Sequence, residues 1–163
     1  MFQRILVPID GSPTSAAGLR QAIALAEDQG ATLYLLHVVD ELVVTQGFDG
    51  TAFAVQSEID AVINALRRQG KRLLDKAAEA AKRRSVKYET LLVDTFGHAV
   101  ADVIAEQAKK RRVGLIVMGT HGRRGITRLV MGSDAEGVVR SARVPVMLVR
   151  LHKDPSRARA KKG

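Results

Sequence analysis

The amino-acid sequence predicts an α/β fold, an open five-stranded parallel sheet with helices on both faces. Two textures alternate along it. Five short runs rich in Val, Ile and Leu barely mix with polar residues, as expected of parallel strands covered on both sides. Between them lie longer segments whose apolar residues recur at helical spacing. Strand and helix exchanged this regularly imply a parallel sheet with right-handed crossovers.

The first strand is expected from Arg4 to Ile9 and the first helix from Ser12-Pro13, a cap residue followed by proline at the first helical position. Leu19, Ala22, Ile23 and Ala26 then make one apolar face, which leads to a second strand from Thr32 to Val39. The stretch from Asp40 to Gln56 carries Gly47, Gly50 and no sustained period, and reads as a flexible loop. Ile59, Val62, Ile63 and Leu66 restore the helical stripe, and Leu73, Leu74 and Ala77 carry it past Gly70. A third strand is expected from Val86 to Val93, then a helix on Val100, Val103, Ile104 and Ala108. A fourth strand from Gly114 to Met118, a helix on Ala135, Val138, Val139 and Ala142, and a fifth strand from Val144 to Arg150 complete the pattern.

At 163 residues the chain is one domain's worth of sequence. Without cysteine it has no disulfides, thiol nucleophiles or zinc–thiolate sites, which suits a cytoplasmic protein. The formal charge is +9, and from Arg150 to Gly163 there are six basic residues against one acid. Residues 1–150 are thus expected to fold and 151–163 to form a basic, disordered tail. No cleavable leader and no apolar run approaching the ~20 residues of a membrane span stands out.

In open α/β sheets ligands sit beyond the carboxyl ends of the strands. Asp10-Gly11-Ser12-Pro13 follows the first strand and Asp40 the second. Gly119-Thr120-His121-Gly122-Arg123-Arg124-Gly125 follows the fourth, with Gly132-Ser133 opening the last helix. Four glycines within fourteen residues, between a strand and a helix, suit a nest of backbone N–H groups for a phosphate. Arg123 and Arg124 can add charge-assisted bonds. The block is neither a Walker loop nor the dinucleotide G-x-G-x-x-G. On spacing alone, a glycine-rich turn and crossover explains it equally well.

Four segments together resemble the universal stress protein family over residues 1–150. They are the opening from Arg4 to Ser12, Leu36-His37-Val38-Val39-Asp40, the glycine block, and the closing run from Pro145 to Arg150. Gly119-Thr120-His121-Gly122, nine residues, then Gly132-Ser133 is similar to the G-x2-G-x9-G-[ST] pattern of the family's nucleotide-binding branch. The resemblance implies a Rossmann-like sheet in the order 3-2-1-4-5, with ATP and Mg2+ bound where strands 1 and 4 part. It also implies a homodimer paired through the strand from Val144 to Arg150, which would protect an apolar edge.

The resemblance assigns cofactor contact to Pro8, Asp10, Val38, Met118, Gly119, Gly122, Arg123, Gly132, Ser133 and Asp134. Several have a plainer reading beside them. Asp10 either meets ribose and phosphate or orders the turn before the first helix. Pro8 and Val38 line an adenine pocket and are strand core as well, Val38 acting through its backbone. Ser133 donates to phosphate or, with Glu136, forms a capping box. His37 reads as a satisfied core histidine, and His121 as a residue that shapes the glycine loop. Asp134 departs from the family, where a small apolar residue or threonine is usual. Two charges ~5 Å apart repel by about 3 kcal/mol at an effective dielectric near 20, so this carboxylate opposes a polyphosphate. The basic run Arg67, Arg68, Lys71 and Arg72 reads as a solvated helix face.

The expected function is therefore that of a cytoplasmic, ATP-dependent sensor or switch in a stress response, working through a protein partner. The alternatives are slow ATP hydrolysis on the same site, for which no general base stands out, and a dimeric scaffold without nucleotide. Aromatic residues are only 4%, so nucleic-acid binding is confined to non-specific attraction by the tail.

Overall fold

The computed structural model describes residues 1–41, 55–120 and 131–151. The chain runs β1 (Arg4–Pro8), α1 (Pro13–Gln29), β2 (Thr32–Val39), α2 (Val55–Arg83), β3 (Lys87–Asp94), α3 (Val100–Lys110), β4 (Leu115–Gly119), α4 (Ser133–Ser141), β5 (Val146–Val149). The five strands form one sheet in the order β3-β2-β1-β4-β5, and every neighbouring pair is parallel. The Rossmann-like architecture and its strand order are as expected.

The apolar runs lack alternation because both faces of the sheet are covered. Ile5 and Val7 of β1, Leu33 and Leu35 of β2, and Leu115 and Val117 of β4 face α1 and α2, where Ala22, Ile23, Ala26, Leu74, Ala77 and Ala81 complete one core. The intervening Leu6, Leu36, Ile116 and Met118 face α3 and α4 and pack with Ile104, Ala108, Ala135 and Val138. The helix pair on that side sits tightly: a Cβ on Gly137 would lie 2.7 Å from the Cβ of Ala101.

Local chemistry sets the helix ends. Ser12 caps α1, its Oγ accepting from the Ser15 N–H at 3.0 Å, and Pro13 takes the first helical position. Gly30 closes that helix with a left-handed φ of 64°. Helix α2 runs unbroken through Gly70. It starts at Val55, inside the expected loop, the rest of which falls on residues 42–54, outside the described residues. The expected tail likewise lies there from residue 152 onward.

Four strand readings need correction, and for β4 it is a shift of one residue, from Gly114–Met118 to Leu115–Gly119. β1 ends at Pro8, although the Ile9 N–H still bonds the Leu36 carbonyl at 2.7 Å. β3 begins at Lys87 because the Val86 N–H is spent on the Ala81 carbonyl at the end of α2. It is an edge strand, and of its residues only Leu91 is buried, so cover on both faces does not extend to it. β5 is shorter than the run from Val144 to Arg150: Pro145 has no N–H to donate, though its carbonyl accepts from Ile116 at 3.0 Å.

Candidate functional site

The strand order reverses direction between β1 and β4. From β1 the chain moves through α1 to β2 on one side, and from β4 through α4 to β5 on the other. The paired residues of β1 and β4 end at Leu6 and Ile116, short of the carboxyl ends of both strands. A crevice at such a reversal is where open α/β sheets accept ligands.

One wall is the turn from Pro8 to Ser15. Asp10 accepts the Ser12 N–H on Oδ1 at 2.7 Å, and its own N–H points to Ser15 Oγ at 3.3 Å. Ser15 Oγ donates in turn to the Pro8 carbonyl at 3.2 Å, and Ser12 Oγ lies 3.1 Å from Thr14 Oγ1. Asp10 therefore does order its turn, as the plainer reading holds. Ser15, which no sequence motif singled out, is the hub. The available signal was a run of hydroxyl residues, Ser12, Thr14 and Ser15, all buried at the start of a helix.

The other wall begins at Gly119, where β4 abuts the first turn of α1. A Cβ there would lie 2.7 Å from the Thr14 carbonyl carbon and 2.8 Å from the Ser15 nitrogen. Glycine at 119 is thus required by packing. The chain then leaves the described residues, and Gly122, Arg123, His121 and Arg124 lie among residues 121–130, outside them. It returns at Met131, and the Gly132 N–H bonds the Thr120 carbonyl at 2.9 Å, while the Thr120 N–H bonds the Val149 carbonyl at 3.0 Å. The two ends of the glycine block are thereby drawn together at the head of α4.

That helix head differs from the expected capping box. Gly132 is the N-cap, with φ −64° and ψ 149°, and no side chain caps it. Ser133 occupies the first helical position, so Glu136 falls one place beyond the box and pairs with Arg140 at 2.8 Å. The helix starts one residue early because Gly132 takes the extended backbone that the box would have required of Ser133. At this N-terminus Ser133 and Asp134 are both exposed, beside a half-buried Gly132. Met118, by contrast, is buried in the core on the α3 and α4 side.

Val38 presents its main chain to the crevice. In a parallel ladder alternate residues turn their N–H and C=O to the same neighbour. Leu36 bonds Ile9 on the β1 side and Val39 bonds the Thr95 N–H on the β3 side, so Val38 faces β1. Pairing with β1 ends at Pro8↔Leu36, and among the described residues no rung from β1 reaches Val38. His37 is the buried core histidine that was expected, only 3% exposed. Its Nδ1–H donates to the Ile9 carbonyl at 2.6 Å.

Arg67 corrects the reading of its run as solvent-facing only. Its fork donates from Nε and Nη2 to the two oxygens of Asp94, at 3.0 and 3.1 Å, and Glu41 lies 3.5 Å away. The Asp94 hydrogen bonds, and then its charge, raise the guanidinium pKa further above its ordinary value. This pins α2 to the carboxyl rim of β2 and β3.

The Universal stress protein family model matches residues 1–150. The chain belongs to the universal stress protein family. YxiE, a universal stress protein of Bacillus subtilis, is 35% identical over 151 residues, covering 92% of this chain and all of that protein. Among solved structures, a universal stress protein in complex with cAMP superposes with a TM-score of 0.62 at 23% identity, covering 91% of this chain and 97% of the other. The universal stress protein of Archaeoglobus fulgidus in complex with dAMP gives 0.59 at 23% identity, covering 90% and 97%. Among the described residues of this universal stress protein, no helix is long and apolar enough to cross a membrane.

Proposed function

We propose that this universal stress protein binds an adenine nucleotide, ATP with Mg2+, in the crevice between β1 and β4, and acts as a nucleotide-dependent switch in a stress response. The observation that carries the reading is the early parting of β1 from β4, with the Asp10 turn on one wall and the head of α4 on the other. The main chain of Val38 suits the edge of an adenine, with Pro8 beside it. The helix N-terminus at Gly132 and Ser133 suits a phosphate. Because Ser133 is not the cap, its hydroxyl is not needed for the helix and is suited to a ligand. Two proteins of this fold are known in complex with cAMP and dAMP, which supports an adenine nucleotide as the ligand class.

Asp134 works against the outer phosphates of ATP, so Mg2+, or Arg123 and Arg124, must offset it. Gly122 completes the proposed cradle, and Asp10 faces the ribose. The apolar edge of β5, where Met147 is exposed, is the proposed dimer surface, using the strand from Val144 to Arg150. Residues 151–163 are proposed to remain a solvated basic tail outside the switch, in a cytoplasmic protein.

The deciding experiment is to purify the chain without added nucleotide, denature it and identify any released small molecule by chromatography and mass. The native material is then titrated with ATP and Mg2+ by calorimetry, its mass in solution read by light scattering. Co-purified adenine nucleotide or saturable binding supports the reading. No released nucleotide and no measurable affinity overturns it and leaves a scaffold.

A further inference from the structure

The ladder between β1 and β2 stops one rung early, and the side chain that stops it is buried in the core. The Ile9 N–H makes the last rung with Leu36, at 2.7 Å. The Ile9 carbonyl is the natural partner for the Val38 N–H, the next position along. The imidazole of His37 bonds that carbonyl instead, at 2.6 Å. A carbonyl accepts, so Nδ1 carries the proton. The ring has little room to move. A Cβ on Gly70 of α2 would lie 2.3 Å from its Cδ2 and 2.9 Å from its Nε2, so the helix backbone lies directly against the imidazole. Glycine inside a long helix costs about 1 kcal/mol relative to alanine, and here it makes the space that the ring occupies.

From these contacts we infer that His37 is a positioning residue for the nucleotide site, holding the Ile9 carbonyl so that the Val38 N–H is kept for the ligand and Asp10 is held at the crevice. Two consequences follow from one bond. The β1–β2 pairing ends at the residue before Asp10, where the chain must turn toward α1. The main-chain edge of Val38 stays unpaired with β1, as a base-binding edge must. Helix α2 takes part through Gly70, whose backbone lies against the imidazole. The inference rests on the nucleotide reading above for its functional half.

The test compares wild type with His37→Asn and His37→Leu. The asparagine Nδ2 retains a donor at the position of Nδ1, and leucine removes it. Two measurements are made: calorimetric affinity for Mg-ATP and for AMP, and hydrogen exchange of the Val38 amide in the protein without nucleotide. In His37→Leu the released Ile9 carbonyl takes the Val38 N–H, so that amide exchanges more slowly while the rest of the sheet exchanges faster. Affinity falls about tenfold or more, and in His37→Asn it stays within about threefold of wild type. A role confined to packing moves the Val38 amide with its neighbours and lowers affinity in both variants in step with stability. That result overturns the inference, as does equal affinity in all three proteins. If wild type binds neither nucleotide but the Val38 amide slows as described, the nucleotide reading fails and the control of the ladder by His37 stands. Should His37→Leu not fold, the nitrogen chemical shifts of the wild-type imidazole decide: a neutral ring carrying its proton on Nε2 refutes the bond.

Discussion

Replacing Gly70 by alanine pits local helix propensity against tertiary packing, and the two give opposite signs. Within a helix the exchange alone is expected to stabilise by about 1 kcal/mol. Here the new methyl group would meet His37 Cδ2 at 2.3 Å, Leu92 Cδ1 at 2.8 Å and His37 Nε2 at 2.9 Å. Leu92 is 40% exposed and can swing aside. The imidazole is buried and tethered to Ile9, so it cannot move without loss. Forcing a methyl into such a contact costs about 1–3 kcal/mol. If the ring yields instead, the Ile9 carbonyl loses its partner, a penalty also of about 1–3 kcal/mol. Either cost, less the propensity gain of about 1 kcal/mol, leaves the variant less stable by up to about 2 kcal/mol. For a domain of this size each kcal/mol lowers the midpoint by about 2–4 °C. Urea unfolding at an unchanged slope measures the difference directly. A second variant, His37→Ala, removes the ring, and Gly70→Ala made in that background should recover its ordinary stabilising sign. If Gly70→Ala is as stable as wild type or more so, the packing argument is wrong.

Two helix heads make a matched prediction. Ser12→Ala removes the cap bond to Ser15 and should lower stability by about 1 kcal/mol. Ser133→Ala leaves a helix capped by Gly132 and should change stability by less than about 0.5 kcal/mol, while weakening Mg-ATP binding in the calorimeter. The hydrogen bond from Arg84, reaching from the end of α2 to α1, holds the Glu27 carboxyl below the usual carboxylate range. Arg84→Gln should therefore move the Glu27 midpoint up toward its ordinary value in an NMR titration. A depressed carboxylate contributes stability that is present above its unfolded pKa and is lost as pH falls through the folded one. The gap in stability between wild type and this variant should accordingly close on the acid side of the carboxylate range.

Wherever the controlling physics is local, it was legible in the linear chain. Ile5, Leu6 and Val7 are apolar without alternation because each face of β1 is covered by a helix layer, and an unalternating run carries that information along its own few residues. Ser12-Pro13 announces the start of α1 because cap and φ preference act over three residues. The glycine block showed where β4 and α4 meet, and Gly132 is indeed at the helix head. Its role there was not legible: Ser133 and Gly132 are neighbours, both good caps, and only the path of the returning chain, pinned by Gly132 to Thr120, decides between them.

What tertiary structure alone decided are the pairings between residues far apart along the chain. His37 and Ile9 are 28 residues apart, and Arg67 and Asp94 are 27 apart. Gly70 reads in sequence as a weak point in a helix, whereas in the fold it is the space an imidazole requires. Gly119 reads as part of a phosphate cradle, and only the fold adds a second reason for glycine, since the backbone of Thr14 and Ser15 excludes any side chain there. β3 reads as a covered strand, yet its place at the sheet edge leaves most of its residues exposed or half-buried. Periodicity and capping record what a residue prefers along its own segment. Which side chain faces it across the sheet is set only when the strands find their order, because that contact carries no local signal.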